Sequence, residues 1–197
     1  MSMRICSPHV GLSPESNLGG EVYEREILKH LALLGAQLEI ILPRGKPYER
    51  NIPNWRVHYT FFGQGYRWYI SNLVFPAYIK RIYDRVGFDV LRVHSLRFVG
   101  PAALWARRLY RLPVPIVAHH HHLDADWLNR LIEKRVIEGA DRLVTDSDFS
   151  KKQLVNELGI TPAKIAVVRA GIDRRFVPQP KDEALVEKWG LQGKQVV

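Results

Sequence analysis

The chain has 197 residues, enough for one large domain with a substantial core. Hydrophobic residues make up 46% and charged residues 25%, which excludes the disordered, collagen-like and disulfide-stapled classes. The single cysteine, Cys6, excludes an internal disulfide and a cysteine cluster for zinc, and it suits a reducing compartment. We therefore expect a cytoplasmic protein.

The formal charge of +9 predicts attraction to anions: nucleotide phosphates, nucleic acid or anionic lipid headgroups. Charge alone does not choose among them, and the basic residues are spread in pairs such as Arg107-Arg108, as on solvated helix faces. The N-terminus reaches Pro8 without the apolar core of a signal peptide. Every apolar stretch also stops well short of the roughly 20 residues that a bilayer needs.

Short apolar runs alternate with longer segments of helical period, which is typical of a parallel sheet covered by helices on both faces. The predicted strands are residues 4–7, 38–42, 56–60, 90–93, 116–118, 143–145 and 165–169. The predicted helices are residues 20–34, 68–86, 101–110, 125–138 and 150–158. The third strand mixes apolar and polar residues, so an edge strand and an extended loop are both open there.

In the first helix an apolar face is predicted at Tyr23, Ile27, Leu31 and Leu34, with Gly35 as the stop. At the other end of the chain, prolines 178 and 180 predict an exit from the sheet into a linker. Residues 181–189 then predict a short helix and 195–197 the beginning of a strand. We therefore expect one domain over residues 1–178, and over 179–197 a linker with the first elements of a second domain that continues in the natural polypeptide.

Gly19 and Gly20 open the first helix after a loop over residues 9–18. Glycines let the backbone approach a ligand, and the free N–H groups at the positive end of the helix dipole favour a phosphate. The pattern is neither G-x-G-x-x-G nor a P-loop, which disfavours an NAD-binding domain and a P-loop NTPase. The alternative is that both glycines only form a turn and start the helix.

Four histidines, residues 119–122, follow an apolar run and so lie at the carboxyl end of a strand, where open parallel sheets bind ligands. His119 and His121 share one face of an extended chain, and His120 and His122 share the other. His9 and His94 also follow strands, so three strand ends deliver histidine to one edge. Metal binding is disfavoured because alternate residues offer only two ligands and no H-E-x-x-H motif supplies the rest.

Two further segments have competing interpretations. Asp146-Ser147-Asp148 stands between a strand and a helix, where such residues cap the helix. Tyr66 and Arg67 lie in an aromatic segment that can stack on sugar rings or sit at a lipid interface, but that equally suits the core-facing start of a helix. Cys6 lies on a predicted buried strand, which makes it a poor nucleophile.

The order and spacing of several stretches between residue 3 and about 178 resemble the N-terminal domain of the retaining GT-B glycosyltransferases of family GT4. Each stretch is weakly specific alone, and the set is specific together. The stretches are Gly19-Gly20-Glu21 with its helix, residues 89–94, residues 115–121 with His121 matching the family histidine, residues 140–147 and residues 164–176. Arg92 departs from the family pattern, which often has histidine there.

The resemblance implies a Rossmann-like three-layer α/β/α parallel sheet that is one half of a GT-B two-domain architecture. It implies transfer of a sugar from a nucleotide-sugar to an acceptor hydroxyl, with retention of configuration and with no required metal or other cofactor. Gly19 and Gly20 would face the donor diphosphate. The catalytic position would be His121, which would contact the transferring sugar.

The acceptor, a sugar, a lipid or another small molecule, would be held mainly by this domain. The expected acceptor-binding residues are His9, Asn17, Tyr66, Arg67 and His94. The donor would be held mainly by a second domain, so residues 1–197 alone are expected to have little or no activity. A peripheral contact with the inner membrane face is an additional expectation, and nucleic acid is not an expected partner.

Two other hypotheses stay open at this point. The first is a non-catalytic module that binds anionic lipid or nucleic acid through its basic surface, with salt-sensitive binding as its signature. The second is a metal-dependent hydrolase built on the histidine run, which chelation would inactivate.

Overall fold

The computed structural model describes residues 2–63, 68–121, 126–171 and 176–195, and in it a seven-stranded parallel sheet carries the fold. The strands are β1 (Arg4–Pro8), β2 (Gln37–Arg44), β3 (Trp55–Gly63), β4 (Val90–Val93), β5 (Ile116–His120), β6 (Arg142–Thr145) and β7 (Ile165–Val167). Their order across the sheet is β3-β2-β1-β4-β5-β6-β7. The predicted parallel sheet is confirmed, and β3 is an edge strand paired with β2.

Helices cover both faces of the sheet. They are α1 (Gly19–Leu33), α2 (Trp68–Val86), α3 (Leu96–Tyr110), α4 (Trp127–Gly139), α5 (Asp148–Leu158) and α6 (Glu183–Lys188), with a 3₁₀ turn at Pro162–Lys164. Because neighbouring strand residues point to opposite faces, Ile5 packs in a cluster with Leu28 of α1. Cys6 packs in a larger cluster with residues of α2 to α5. The predicted three-layer arrangement is therefore confirmed.

The strand order reverses between β1 and β4. The chain leaves β1 toward β2 and β3, and then α2 returns it to β4 on the other side of β1. Such a reversal separates the loops that follow the two strands and opens a crevice at their carboxyl ends. His9 follows β1 and His94 follows β4, so both stand at this crevice.

The apolar face predicted for α1 was wrong by one position along the helix. The buried residues of α1 are Glu24, Leu28 and Ala32, whereas Leu34 is 85% exposed. Helical periodicity favoured the larger apolar side chains, but the tertiary structure buries a glutamate because Arg92 of β4 neutralises it. Gly35 ends the helix as predicted, with φ at +96°.

The third helix begins earlier than predicted, at Leu96, so Pro101 lies inside α3 and not at its start. A proline there has no backbone N–H, so the carbonyl of Arg97 loses the hydrogen bond that it would normally accept from this position. The side chain of Asn72, from α2, compensates for this loss. Its amide nitrogen donates to the Arg97 carbonyl at 3.1 Å, and its amide oxygen accepts from the N–H of Ala102 at 3.1 Å.

Other boundaries agree closely with the predictions. Ser147 caps α5 by accepting from the N–H of Ser150, as predicted. Strand β7 is two residues shorter than expected at its end, at the sheet's edge. Residues 172–175, most of the strand predicted over 195–197, and the domain boundary at 178 lie outside what the described residues test. Among the described residues, no helix is both long and apolar enough to cross a membrane.

We predict that replacing Asn72 with alanine lowers the free energy of unfolding by about 1–3 kcal/mol, because the Arg97 carbonyl and the Ala102 N–H both lose their partner in a buried environment. Urea unfolding followed by circular dichroism measures this change. Asn156→Ala makes the same chemical change on the exposed face of α5 and should leave stability nearly unchanged. Equal stabilities of the two variants would contradict this account of α3.

Candidate functional site

A cleft of about 420 Å³ opens at the carboxyl edge of the sheet, between the start of α1 and the ends of β4 and β5. We call it the edge cleft. Its lining includes Gly19, Gly20, Tyr23, His94, His119 and His121. The structure therefore brings together both predicted phosphate-binding glycines and the predicted catalytic histidine. His94, which was predicted to bind the acceptor, lines the same cleft.

A buried ion pair lies beneath this cleft. The guanidinium of Arg92 binds both carboxylate oxygens of Glu24, with one of the two hydrogen bonds at 2.7 Å. The residues are only 3% and 1% exposed, respectively. Burial by itself would raise the pKa of Glu24, but the charge and hydrogen bonds of Arg92, together with His94, hold that pKa well below its usual range. Removing either partner would leave an uncompensated buried charge, which costs about 3–5 kcal/mol.

Glu24 also determines how His94 and His121 share their protons. His94 Nδ1 lies 2.9 Å from Glu24 Oε1, and because the carboxylate is ionised the imidazole donates there. His121 Nε2 lies 3.3 Å from the same His94 nitrogen and can only accept from it. The remaining nitrogen of His121, Nδ1, then carries the proton toward Asp146 Oδ2 at 3.5 Å. This series of hydrogen bonds leaves Nε2 of His94 facing Gly20.

His121 is held as a neutral imidazole. Burial lowers its pKa and the neighbouring His94 lowers it further, while Asp146 opposes the shift. Its ring is also fixed by an edge-on contact with Tyr23, whose ring centroid lies 4.8 Å away. A neutral, oriented imidazole donates or accepts one hydrogen bond at a defined angle, which suits the recognition of a sugar hydroxyl.

His9 and His119 are buried more deeply than His121. Burial lowers the pKa of His9 to about 3, although Glu24 opposes the shift, and lowers the pKa of His119 to about 2, with Arg92 adding to the shift. His9 Nε2 is hydrogen-bonded to the hydroxyl of Ser7 at 2.8 Å. Both rings are therefore uncharged packing partners of the Glu24–Arg92 pair near neutral pH.

The start of α1 has no side-chain cap. Leu18 occupies the N-cap position and its side chain offers no oxygen, so none of the described side chains caps the first turn. Gly19 and Gly20 are exposed, and an added Cβ at Gly20 would lie 3.6 Å from His94 Nε2. The predicted phosphate site thus has free donors facing a cleft, although its occupant stays a prediction.

A second cleft, of about 320 Å³, adjoins the first on the side of β1. We call it the inner cleft. Its lining includes His9, Val10, Gly20, Glu24, Lys46 and His94. Of the predicted acceptor residues, it therefore contains His9 and His94.

The other predicted acceptor residues lie elsewhere or are not described. Asn17 is exposed in the loop before α1. Tyr66 and Arg67 fall outside the described residues. The acceptor roles of all five residues stay predictions.

Three side chains meet with a spacing that a metal ion could use. One ligand atom each of Glu24, His94 and His121 lies within 4.8 Å of the others. The carboxylate, however, already accepts two hydrogen bonds from Arg92, and that fixed positive charge repels a cation at the same oxygens. The donor set is therefore poorly suited to a metal, and the expectation that the reaction requires none stays a prediction.

Sequence reasoning missed Glu24 as part of the site, and it treated Arg92 only as a departure from the family pattern. A glutamate on the same helix face as Leu28 and Ala32 was the available signal, and an arginine inside an apolar strand was a second one. Opposite charges in two buried elements predict that the elements meet. The sequence pattern did not indicate which strand α1 would cover.

We predict that the free energy of unfolding falls as the pH is lowered from 6.5 toward 4.5. Histidine in the unfolded chain binds a proton near its ordinary pKa of 6.5, whereas folded His9 and His119 stay neutral down to about pH 3 and 2. The unfolded state therefore binds more protons, and each buried histidine contributes about 1.4 kcal/mol per pH unit in this window. Urea unfolding at a series of pH values measures the slope.

His9→Gln should reduce that slope by about one proton, and His30→Gln, on the exposed side of α1, serves as its control. NMR titration of the native imidazoles gives an independent reading. A His9 or His119 resonance that titrates near pH 6 in the folded protein would contradict the burial described above.

Residues 18–176 match the family model of Glycosyltransferase Family 4. Over 60 residues the chain is 43% identical to a D-inositol 3-phosphate glycosyltransferase of Kineococcus radiotolerans, an alignment that covers 30% of this chain and 14% of that protein.

The solved structures that are similar in fold include the following two. One is the catalytic domain of starch synthase IV from Arabidopsis thaliana bound to ADP and acarbose, with a TM-score of 0.67 at 16% identity, over 89% of this chain and 53% of that one. The other is HepE from Anabaena in complex with UDP, with a TM-score of 0.63 at 15% identity, over 97% and 50%. The chain therefore spans about half the length of these structures.

These likenesses confirm the Rossmann-like sheet expected for one half of a GT-B architecture. Because the family model covers most of the sequence, including the start of α1 and every strand end that lines the edge cleft, the chain belongs to Glycosyltransferase Family 4.

Proposed function

We propose that this chain forms the acceptor-side part of an enzyme that transfers a sugar from a nucleotide-sugar to an acceptor hydroxyl, with retention of configuration. The observation that carries the proposal is the meeting of the uncapped α1 start with His94 and His121 in one cleft at the reversal of strand order. Membership of the family supports the transfer of a sugar. The two clefts share Gly20 and His94, and this supports a close approach of the acceptor to the donor.

The donor diphosphate would lie at Gly19 and Gly20. Backbone N–H groups there stabilise the charge that grows on the leaving phosphate as its bond to the anomeric carbon breaks. At Gly19 and Gly20 the hydrogen-bond donors are backbone N–H groups. Because glycine has no Cβ, the phosphate can approach these groups closely. The neutral imidazole of His121 would hold a hydroxyl of the transferring sugar.

Retention is supported by the relation between the two clefts. Gly20 and His94 line both, so an acceptor in the inner cleft would lie next to a diphosphate bound at the start of α1. The acceptor oxygen would form its bond to the anomeric carbon on the face that the phosphate leaves, and its proton would pass to the departing phosphate oxygen. Glu24 is a poor nucleophile because Arg92 occupies its carboxylate.

The complete natural polypeptide is the material for the test, with UDP-, ADP- and GDP-sugars as donors. Inositol phosphate belongs among the acceptors tried, since the name of the relative from Kineococcus radiotolerans includes it. Proton NMR of the product gives the anomeric configuration directly. Inversion at the anomeric carbon would contradict the proposed geometry, and salt-sensitive binding of DNA or acidic vesicles without any response to nucleotide-sugars would favour a binding module instead.

We predict that His121→Ala lowers kcat/KM about a hundredfold, because a hydrogen bond oriented toward the transferring sugar is lost in the transition state. His30→Ala removes an imidazole from the exposed side of α1 and should leave the rate unchanged.

Residues 1–197 by themselves should give little or no turnover, since the donor would be held mainly by a second domain. Robust turnover by this segment alone would contradict that division of labour.

We also predict that treatment with EDTA leaves the transfer rate unchanged. Arg92 blocks the Glu24 carboxylate, and the two histidines alone make a weak site. The rate before chelation, after chelation and after addition of zinc is the measurement. A rate that falls on chelation and returns with zinc would overturn the metal-free part of the proposal and would favour a metal-dependent reaction.

A further inference from the structure

A third cavity, of about 200 Å³, continues the inner cleft away from the histidines. We call it the outer pocket. Its lining includes Lys46, Thr60, Phe62, Ile70, Val74 and Phe75. Val10 and Lys46 line both the inner cleft and the outer pocket, just as Gly20 and His94 line both the inner and the edge cleft. One groove therefore runs along the carboxyl edge of the sheet from His121 to the ends of β2 and β3.

Lys46 is unusual among the lysines of the described residues. It is half-buried, and within the ranges that the structure describes no carboxylate or carbonyl group accepts from its ammonium. Every other half-buried lysine has such a partner. The pairs are Lys29 with Glu49, Lys80 with Asp84, Lys134 with Glu138, Lys151 with the carbonyl of Ile165, and Lys164 with the carbonyl of Glu138.

The backbone under Lys46 is fixed even though its ammonium is free. The N–H of Lys46 donates to the carbonyl of Pro43 at 3.1 Å, and its own carbonyl accepts from the hydroxyl of Tyr59 at 3.0 Å. Gly45, with φ at +82°, makes the turn that precedes it. The loop after β2 therefore holds this cation at the junction of the two cavities.

Among the described residues, no carboxylate forms an ion pair with Lys46. The lining of the outer pocket, as far as the structure describes it, contains no acidic residue. In the inner cleft Glu24 is neutralised by Arg92, whereas Glu21 keeps its charge while it accepts a hydrogen bond from the N–H of Ser13; neither carboxylate accepts from Lys46. Apolar side chains form much of the remaining wall, so an anion at Lys46 would be partly shielded from water and its attraction strengthened.

We propose that Lys46 binds a phosphate group on the acceptor, so that the acceptor presents a hydroxyl to the edge cleft at one end of the groove and a phosphate to the outer pocket at the other. This inference rests on the proposed function, because it assigns the groove to the acceptor. Lysine binds phosphate as a compact point charge and needs no bidentate geometry, which suits a single ammonium at a junction. The hydroxyl of Ser71, which also lines the outer pocket, is a second donor for the phosphate.

The test measures binding of defined probes by isothermal titration calorimetry and by NMR. Inorganic phosphate and glycerol 3-phosphate represent a free phosphate, and phosphatidylcholine vesicles with or without phosphatidic acid represent a lipid phosphate. Wild-type protein should bind a phosphate probe, and Lys46→Met should weaken that binding about tenfold or more. Lys46→Arg should retain most of it, and Lys152→Met, on the exposed face of α5, should match wild type with the same loss of charge.

The probes distinguish a soluble acceptor from a lipid acceptor. They also distinguish failure of the phosphate site from failure of the proposed function. Lys46-dependent binding of glycerol 3-phosphate supports a soluble acceptor, and Lys46-dependent binding of only the phosphatidic acid vesicles supports a lipid acceptor. Absence of binding by wild type, equal binding by Lys46→Met, or equal binding of acetate and phosphate would overturn the inference. If no nucleotide-sugar reacts while Lys46-dependent binding persists, the proposed function fails and the phosphate site stands. If transfer occurs but Lys46→Met leaves the KM of phosphorylated acceptors unchanged, the phosphate site fails alone.

Discussion

The ion pair between Glu24 of α1 and Arg92 of β4 joins the two elements that border the candidate site. Both charges are removed from water, so each requires the other, and the requirement determines where α1 lies across the sheet. Glu24 has a second role, since its ionised carboxylate directs the proton of His94 and, through His94, that of His121. The position of the start of α1 and the tautomers of His94 and His121 thus both depend on this ion pair.

His9, His119 and His121 are neutral chiefly because their own rings are buried beside this pair. Arg92 lies close to His119, and its charge adds to the effect of burial on that ring. A charged cluster of histidines would repel Arg92 and attract phosphate indiscriminately, whereas neutral rings offer directional hydrogen bonds. Positive potential for a phosphate is left to the helix start at one end of the groove and to Lys46 at the other.

Much of the architecture was predictable from local patterns. Alternation of apolar runs with helical segments predicted all seven strands and the five main helices, because both periodicities follow from backbone geometry. Histidines at strand ends predicted that their side chains would meet at one edge, since the carboxyl ends of parallel strands share it, and the edge cleft lies there. The start of α3 was missed because Pro101 was taken as a helix start, and only the packing of α2 brings Asn72 to repair the break.

By itself, the sequence determined the fold class and placed Gly19, Gly20, His94 and His121 at one edge of the sheet, where they line the edge cleft. These depend on residues close together in the chain, where backbone geometry leaves few alternatives. Tertiary structure decided the pairing of Glu24 with Arg92, the rotation of α1 that buries the glutamate, and the position of Lys46 between two cavities. Each of these joins segments that are far apart in sequence, and only the close packing of helix on sheet selects which distant charges meet and which stays free.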